Sequence, residues 1–170
     1  LIGLMETIYL ESSSDLQALR AIYAALDSAQ AIIEFDLNGN ILRANDNFLA
    51  VTGYTDEELA GRHHSMFCER ALIDSPAYAR FWQELAAGKA ERAEYKRIAK
   101  GGREFWINAS YNPVRDASGR VCKIIKFATD ITAEKLRAAE TSGLVAAIGK
   151  AQAMVEFDMN GMLLDANANF

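Results

Sequence analysis

The sequence predicts an α+β domain, a five-stranded antiparallel sheet with helices on one face, flanked by N-terminal and C-terminal helices. Three observations carry that expectation. The runs fall in the order helix, β, β, several short helices, β, β, β, helix; two strands, then three, with helices between them, imply antiparallel pairing beneath one helical layer. Asn38-Gly39 stands between the β-prone runs IIEFD and ILRAN, a strong hairpin signal because both positions tolerate positive φ. Finally, residues 29–48 (AQAIIEFDLNGNILRANDNF) recur as residues 151–170 (AQAMVEFDMNGMLLDANANF), identical at 13 of 20 positions at an offset of 122. A period of that length marks tandem domains rather than solenoid repeats. It divides the chain into an N-terminal helical segment 1–28, a central domain 29–132, an output helix 133–150 and the truncated start of a second copy at 151–170.

Each element has a local cause. In SSSDLQALRAIYAALDSA, Leu16, Leu19, Ile22, Tyr23 and Leu26 recur at helical spacing, with Ser14 and Gln17 as a capping box. The hairpin of residues 31–45 follows, and Asn160-Gly161 repeats its turn. NDNFLAVTG, TDEELAG and HHSMFC are short helical pieces; Thr55 and Glu58 form a second capping box, and Gly61 ends that helix. Ser75 to Ala87 is a longer helix with Pro76 in its first turn and Gly88 as its stop. ERAEYKRIAK, REFWINASYNPV and VCKIIKFATDI are strands joined at Gly101-Gly102 and at Asp116–Gly119. From Thr132 the chain is helical to about residue 150. Asp130 or Thr132 is placed to cap that helix, and Glu134 suits its positive end. The hairpin 153–165, alone, is expected to be disordered or to pair with a neighbouring chain.

Composition narrows the function. With a net charge of −5, nothing favours nucleic acid or an anionic membrane as partner. Two cysteines, Cys68 and Cys122, without CxxC spacing, point to a reducing, cytoplasmic setting and no disulfide framework. The opening LIGLMETIYL is too short and too charged for a membrane span or signal peptide. Leu1 as first residue and an end in mid-pattern suggest a segment of a longer chain. No GxSxG, P-loop or HExxH occurs, and Cys68 near His63 and His64 has no evident orienting third group. Catalysis is not expected.

GNILRANDNFLAVTGYTDEELAGR, followed by GGREFWINASYNPVRDASGRVCKIIKFATDIT, resembles the two halves of a PAS domain. Asp130-Ile131-Thr132 resembles the DxT signature that couples a PAS sheet to its output helix, which marks Asp130 and Thr132 as relay residues. HHSMFC, AYARFWQELAAGKAERAEYKRIAKGG and EFWINASYNPV are similar to PAS domains of methyl-accepting, aerotaxis-type chemotaxis transducers. That resemblance implies a sensory module for redox state, oxygen or a small ligand. It also implies a second PAS domain and a chemotaxis signalling domain downstream, with homodimerisation through the flanking helices. The alternative is a cofactor-free dimerisation and relay module.

The same resemblance suggests pocket positions at Asn45, His64, Trp82, Tyr95 and Arg97. Flavin, as FAD, is the first cofactor it implies and haem the next; a pocket with no cofactor is the third possibility. Trp82 and His64 match residues of flavin-binding aerotaxis domains, whereas Ala90-Glu91-Arg92-Ala93 replaces their Pro-Trp-Ser-Gly stretch. Blue-light chemistry fits worse: the photoreactive cysteine would fall at His64, and the flavin-bonding positions at Arg97, Ile107 and Ala128. Haem would require His63 or His64 as axial ligand. Trp82 also belongs to a helical stripe with Tyr78, Phe81 and Leu85, the pattern of core packing. An inward Arg97 would favour an anionic ligand.

Overall fold

Period-two alternation builds the sheet. In β4 (Glu104–Arg115), Phe105, Ile107, Ala109 and Tyr111 are buried, and the residues between them are half-buried. In β5 (Val121–Asp130) the buried set is Ile124, Lys126 and Ala128. Side chains on alternate positions share one face, and the apolar set on that face forms the core under the helices. With β1 (Ala31–Phe35), β2 (Ile41–Ala44) and β3 (Glu91–Ile98) the order is β2-β1-β5-β4-β3, every pair antiparallel. The computed structural model describes residues 2–170, with side chains from residue 14 onward. It divides into two units, 1–130 and 131–170.

In the first unit, α1 (Ile2–Ala29) precedes the sheet. The helical layer between β2 and β3 comprises α2 (Asp46–Thr52), α3 (Asp56–Leu59), a 3-10 turn at His64–Phe67, α4 (Arg70–Ile73) and α5 (Pro76–Ala86). The Thr55–Glu58 capping box is present at α3. Ser14, expected to start α1, lies inside it: helix propagation costs little once a turn exists, so the helix runs through the serines instead of beginning there.

The β1–β2 hairpin is present, but its turn is not a two-residue one. The loop runs from Asp36 to Asn40, and Gly39 (φ 88°) is its one positive-φ residue. The Asp36 carboxylate organises it, accepting from the Asn38 and Asn40 amides at 2.9 and 2.8 Å, which holds its pKa below the usual range despite partial burial. The pattern Asp-x-Asn/Ser-Gly-x recurs at Asp116 and Asp158 with the same carboxylate-to-amide bonds. Gly39 is under a second constraint: a Cβ there would sit 2.7 Å from His63 Nε2 and 2.8 Å from the Trp82 ring.

Asn45 joins three elements. Its Oδ1 accepts from the amides of Ile32 in β1 (2.8 Å) and Phe48 in α2 (3.0 Å). Its Nδ2 donates to the carbonyls of Asp27 and Gln30, at and just beyond the end of α1 (2.7 and 2.8 Å). Asn47 adds bonds to Asp27, Ser28 and Gln30 carbonyls. The last carbonyls of a helix have no partner within it, and here two side-chain amides supply them.

The second unit holds α6 (Thr132–Ala151) and a two-stranded hairpin, β6 (Val155–Phe157) with β7 (Leu163–Ala166). The hairpin, expected to be disordered or to pair with a neighbouring chain, is an antiparallel pair within this chain. Asn167 explains it: its Oδ1 accepts from the amides of Met154 and Phe170, and its Nδ2 donates to the Gly149 and Gln152 carbonyls. Asn169 holds the carbonyls of Gly149, Lys150 and Gln152. Every partner lies 122 residues beyond its equivalent around Asn45 and Asn47. The N-cap of α6 falls on Ile131, which makes no side-chain cap bond. Thr132 is the first helical residue and Asp130 lies one position before the N-cap.

Asn45→Ala is expected to destabilise the first unit by about 2–4 kcal/mol, because it strands two buried amides. Asn47→Ala, at a half-buried site, should cost about 1 kcal/mol or less. Urea unfolding of the two variants checks the contrast.

Candidate functional site

α5 and the 3-10 turn close over β3, β4 and β5 around a cluster of polar side chains. His64 is fully buried, with Nδ1 2.9 Å from the Tyr78 hydroxyl and Nε2 2.9 Å from the Tyr111 hydroxyl. A neutral imidazole has one donor and one acceptor nitrogen, and two hydroxyls satisfy both. Burial first, then the Lys126 and Arg97 charges, holds the His64 pKa well below 6.5. Burial also raises Tyr78 and Tyr95, and pushes Tyr111 up to about 12.

Two basic side chains share this interior. Arg97 in β3 is only 4% exposed; Nη1 donates to the Lys96 carbonyl at 2.9 Å, Nη2 reaches the Tyr111 hydroxyl at 3.5 Å, and Nε has no partner. Its guanidinium lies 4.5 Å from the centre of the Tyr95 ring. Burial works against its charge, but Tyr111, Cys68 and Tyr95 around it raise the pKa overall. Nζ of Lys126 is 5.0 Å from the centre of the Tyr111 ring, and burial, then Arg97, drives its pKa well below the usual lysine value, which disfavours the charged form. Among the described residues no carboxylate pairs with either side chain.

A cavity of about 160 Å³ lies beside the cluster, lined among others by His64, Tyr78, Phe81, Glu91, Tyr95 and Arg97. His64, Tyr95 and Arg97 therefore meet on one wall. Trp82 is not on it. Its ring packs edge-on against Phe35 (5.5 Å) and His64 (5.4 Å), and its Nε1, turned toward the Tyr78 hydroxyl, makes no hydrogen bond. Asn45 lies elsewhere, in the three-element junction described above. The sequence did not single out Tyr78 or Lys126 as site residues. The signal for Lys126 was its alternation with Ile124 and Ala128, which puts a lysine on the core face of β5.

The cofactors expected from sequence do not fit this arrangement. A flavin is a ligand of the size class that occupies roughly 300–1,000 Å³, more than this cavity offers, and Trp82 is committed to the core. Haem needs a free imidazole nitrogen. Those of His64 are held by the two tyrosines, and those of His63 lie 2.9 Å from Ser65 Oγ and 2.8 Å from the Asn38 carbonyl. Cys68 is buried, with a thiol pKa raised by that burial, the reverse of what a nucleophile needs.

Residues 29–133 match the PAS domain family. The chain belongs to the PAS domain family. It is 44% identical over 147 residues to the biofilm dispersion protein BdlA of Pseudomonas aeruginosa, a match covering 86% of this chain and 35% of that protein. It is 33% identical over 106 residues to the aerotaxis receptor of Escherichia coli, covering 62% of this chain and 20% of the receptor. The segment thus spans about a third or less of these relatives' lengths. Among solved structures, an RNA-binding light-oxygen-voltage receptor superposes with a TM-score of 0.62 at 25% identity, covering 79% of this chain and 38% of that one. A PAS domain from Colwellia psychrerythraea gives 0.59 at 21% identity, covering 68% and 98%, a likeness of fold. The chain is a PAS domain related to BdlA and to the aerotaxis receptor, as its resemblance suggested. Among the described residues, no helix is long and apolar enough to cross a membrane.

The folded chain keeps His64 neutral, whereas the unfolded chain protonates it near pH 6.5. Below that pH the unfolded state binds more protons, so stability is lost as pH falls, with a slope of up to about 1.4 kcal/mol per pH unit for one proton. His64→Gln is expected to flatten this loss between about pH 6.5 and 5, above the ordinary carboxylate range. Urea midpoints across that window measure it.

Proposed function

We propose that this domain is the cytoplasmic input module of a chemotaxis-type receptor, reading occupancy of the cavity beside His64 and Arg97 and relaying it through Thr132–Ala151. The carrying observation is the buried guanidinium of Arg97 on the wall of that cavity, its Nε without a partner and no carboxylate paired to it. A module that only filled its core would have no need for such a group, which costs free energy when buried unpaired. The small cavity and the fully engaged histidines favour a small ligand over flavin or haem, and the purified domain is expected to be colourless. The buried, high-pKa thiol of Cys68 supports a binding role rather than catalysis.

The relay reading rests on the DxT segment, with Asp130 and Thr132 at the junction of β5 and α6, and on the repeat, which makes 151–170 the opening of a second PAS domain. In that arrangement α6 serves as exit of one domain and entry of the next, and a rigid helix passes a shift or rotation onward. Leu16, Leu19, Ile22 and Leu26 form an exposed stripe on α1, with Leu19 64% exposed, and Leu136, Val145 and Ile148 are exposed on α6. Two copies burying such stripes would make a parallel homodimer, with the chemotaxis signalling domain downstream.

Ala77→Trp, which fills the cavity from α5, is expected to change amide hydrogen exchange across residues 132–151 while leaving the sheet protected. Unchanged exchange over that helix in a folded variant would remove the relay. Light scattering should report a dimer, and Leu19→Glu should shift it toward monomer.

A further inference from the structure

We infer that the cavity between α5 and β3 is a receptor site for a small organic monocarboxylate, its carboxylate on Arg97 and its apolar body against the rings of Tyr78, Phe81 and Tyr95. The inference rests on the reading of this domain as a ligand-receiving module and names the chemistry of the ligand.

The anion's place is set by what Arg97 lacks. Its side chain lines the cavity and is 4% exposed, yet its Nε–H has no acceptor. One terminal nitrogen is spent on a neighbouring carbonyl at 2.9 Å and the other on a long 3.5 Å contact to Tyr111. A planar guanidinium whose Nε–H has no partner in the protein suits a carboxylate in the two-bond arrangement that makes arginine–carboxylate pairs strong. Arg97 carries the positive charge at this wall, and among the described residues no carboxylate of the protein pairs with it.

The rest of the wall limits the ligand. Leu72, Ala77, Phe81 and the ring faces of Tyr78 and Tyr95 are apolar, which calls for a hydrocarbon or aromatic body. About 160 Å³ excludes anything of drug size. Glu91 also lines the cavity, its Oε1 accepting from the Tyr95 hydroxyl at 3.1 Å. Its negative charge opposes a second carboxylate on the ligand, so the site selects monoanions over dianions by repulsion.

The test uses the 170-residue chain, with benzoate and butyrate as probes, benzyl alcohol as the neutral analogue, phthalate as the dianion and chloride as the inorganic control. Thermal midpoints should rise with benzoate or butyrate concentration, as ligand binding to the folded state requires, and not with the other three. Arg97→Met should weaken the acid's binding by roughly 10- to 100-fold, the range for losing a hydrogen-bonded charge. Without ligand it should unfold no more easily than the parent, because it removes a buried unpaired cation. An arginine with only a structural role would give the opposite result, a destabilised variant. Ala77→Leu, which fills the cavity without touching the arginine, should block the same probes. No response to either acid, or an equal response to benzyl alcohol or chloride, overturns the site. Acid binding that leaves exchange over 132–151 unchanged supports the site and counts against the relay alone.

Discussion

One side chain decides how the layers of this domain meet. A primary amide offers two N–H donors and an oxygen with two lone pairs, and Asn45 spends all four on backbone groups of three elements. The amide of Ile32 belongs to the sheet, that of Phe48 to α2, and the carbonyls of Asp27 and Gln30 to the end of α1. Aspartate would keep the acceptors and lose the donors, and an aliphatic residue would leave every group stranded. With α2 pinned to β1, Phe48 reaches Phe67 at 5.4 Å between ring centres, and Phe67 in turn lies 6.3 Å from the His64 ring. The position of the polar cluster is therefore a downstream consequence of a junction that lies outside its cavity.

Around that cluster the ordinary rules of burial are inverted. Elsewhere in the domain charges find partners: Glu34 lies 2.6 Å from Lys123, and Lys100 lies 2.6 Å from Glu58. In the interior, Arg97 and Lys126 are surrounded by tyrosines, a thiol and a neutral histidine. Proteins depart from consistent packing mainly where function requires it, and the departure here lies on the wall of the cavity that Arg97 lines. Neutral His64, held between two hydroxyls, adds no positive charge beside Arg97.

The sheet was legible because strand periodicity is short and strict: four alternate residues of β4 name their own face. The short helices were legible from capping boxes and glycines. What local pattern could not supply was the partner of a side chain distant in sequence. Asn45 carries the same local signature whether it lines a pocket or ties a helix end, and only the placement of Asp27 and Gln30 separates the two. Trp82 satisfied both a resemblance and a core stripe, and the proximity of Gly39 assigned it to the core. The start of α1 was misplaced because a serine that could cap a helix does so only where the helix begins. The cap of α6 was misplaced by one residue, since two polar side chains flank the apolar Ile131 that takes the position.

The paired asparagines also determine what kind of joint each helix makes. A helix end held by a single side chain could swivel about that point. Asn45 and Asn47 grip carbonyls at three positions around the last turn of α1, and two separated anchors resist torque as well as pull. The same pair, Asn167 and Asn169, grips the last turn of α6. Each helix thus meets its hairpin through a weld rather than a bearing. Any twist applied along such a rod must appear as deformation in the strands it is welded to, because the joint has no slack in which to lose it.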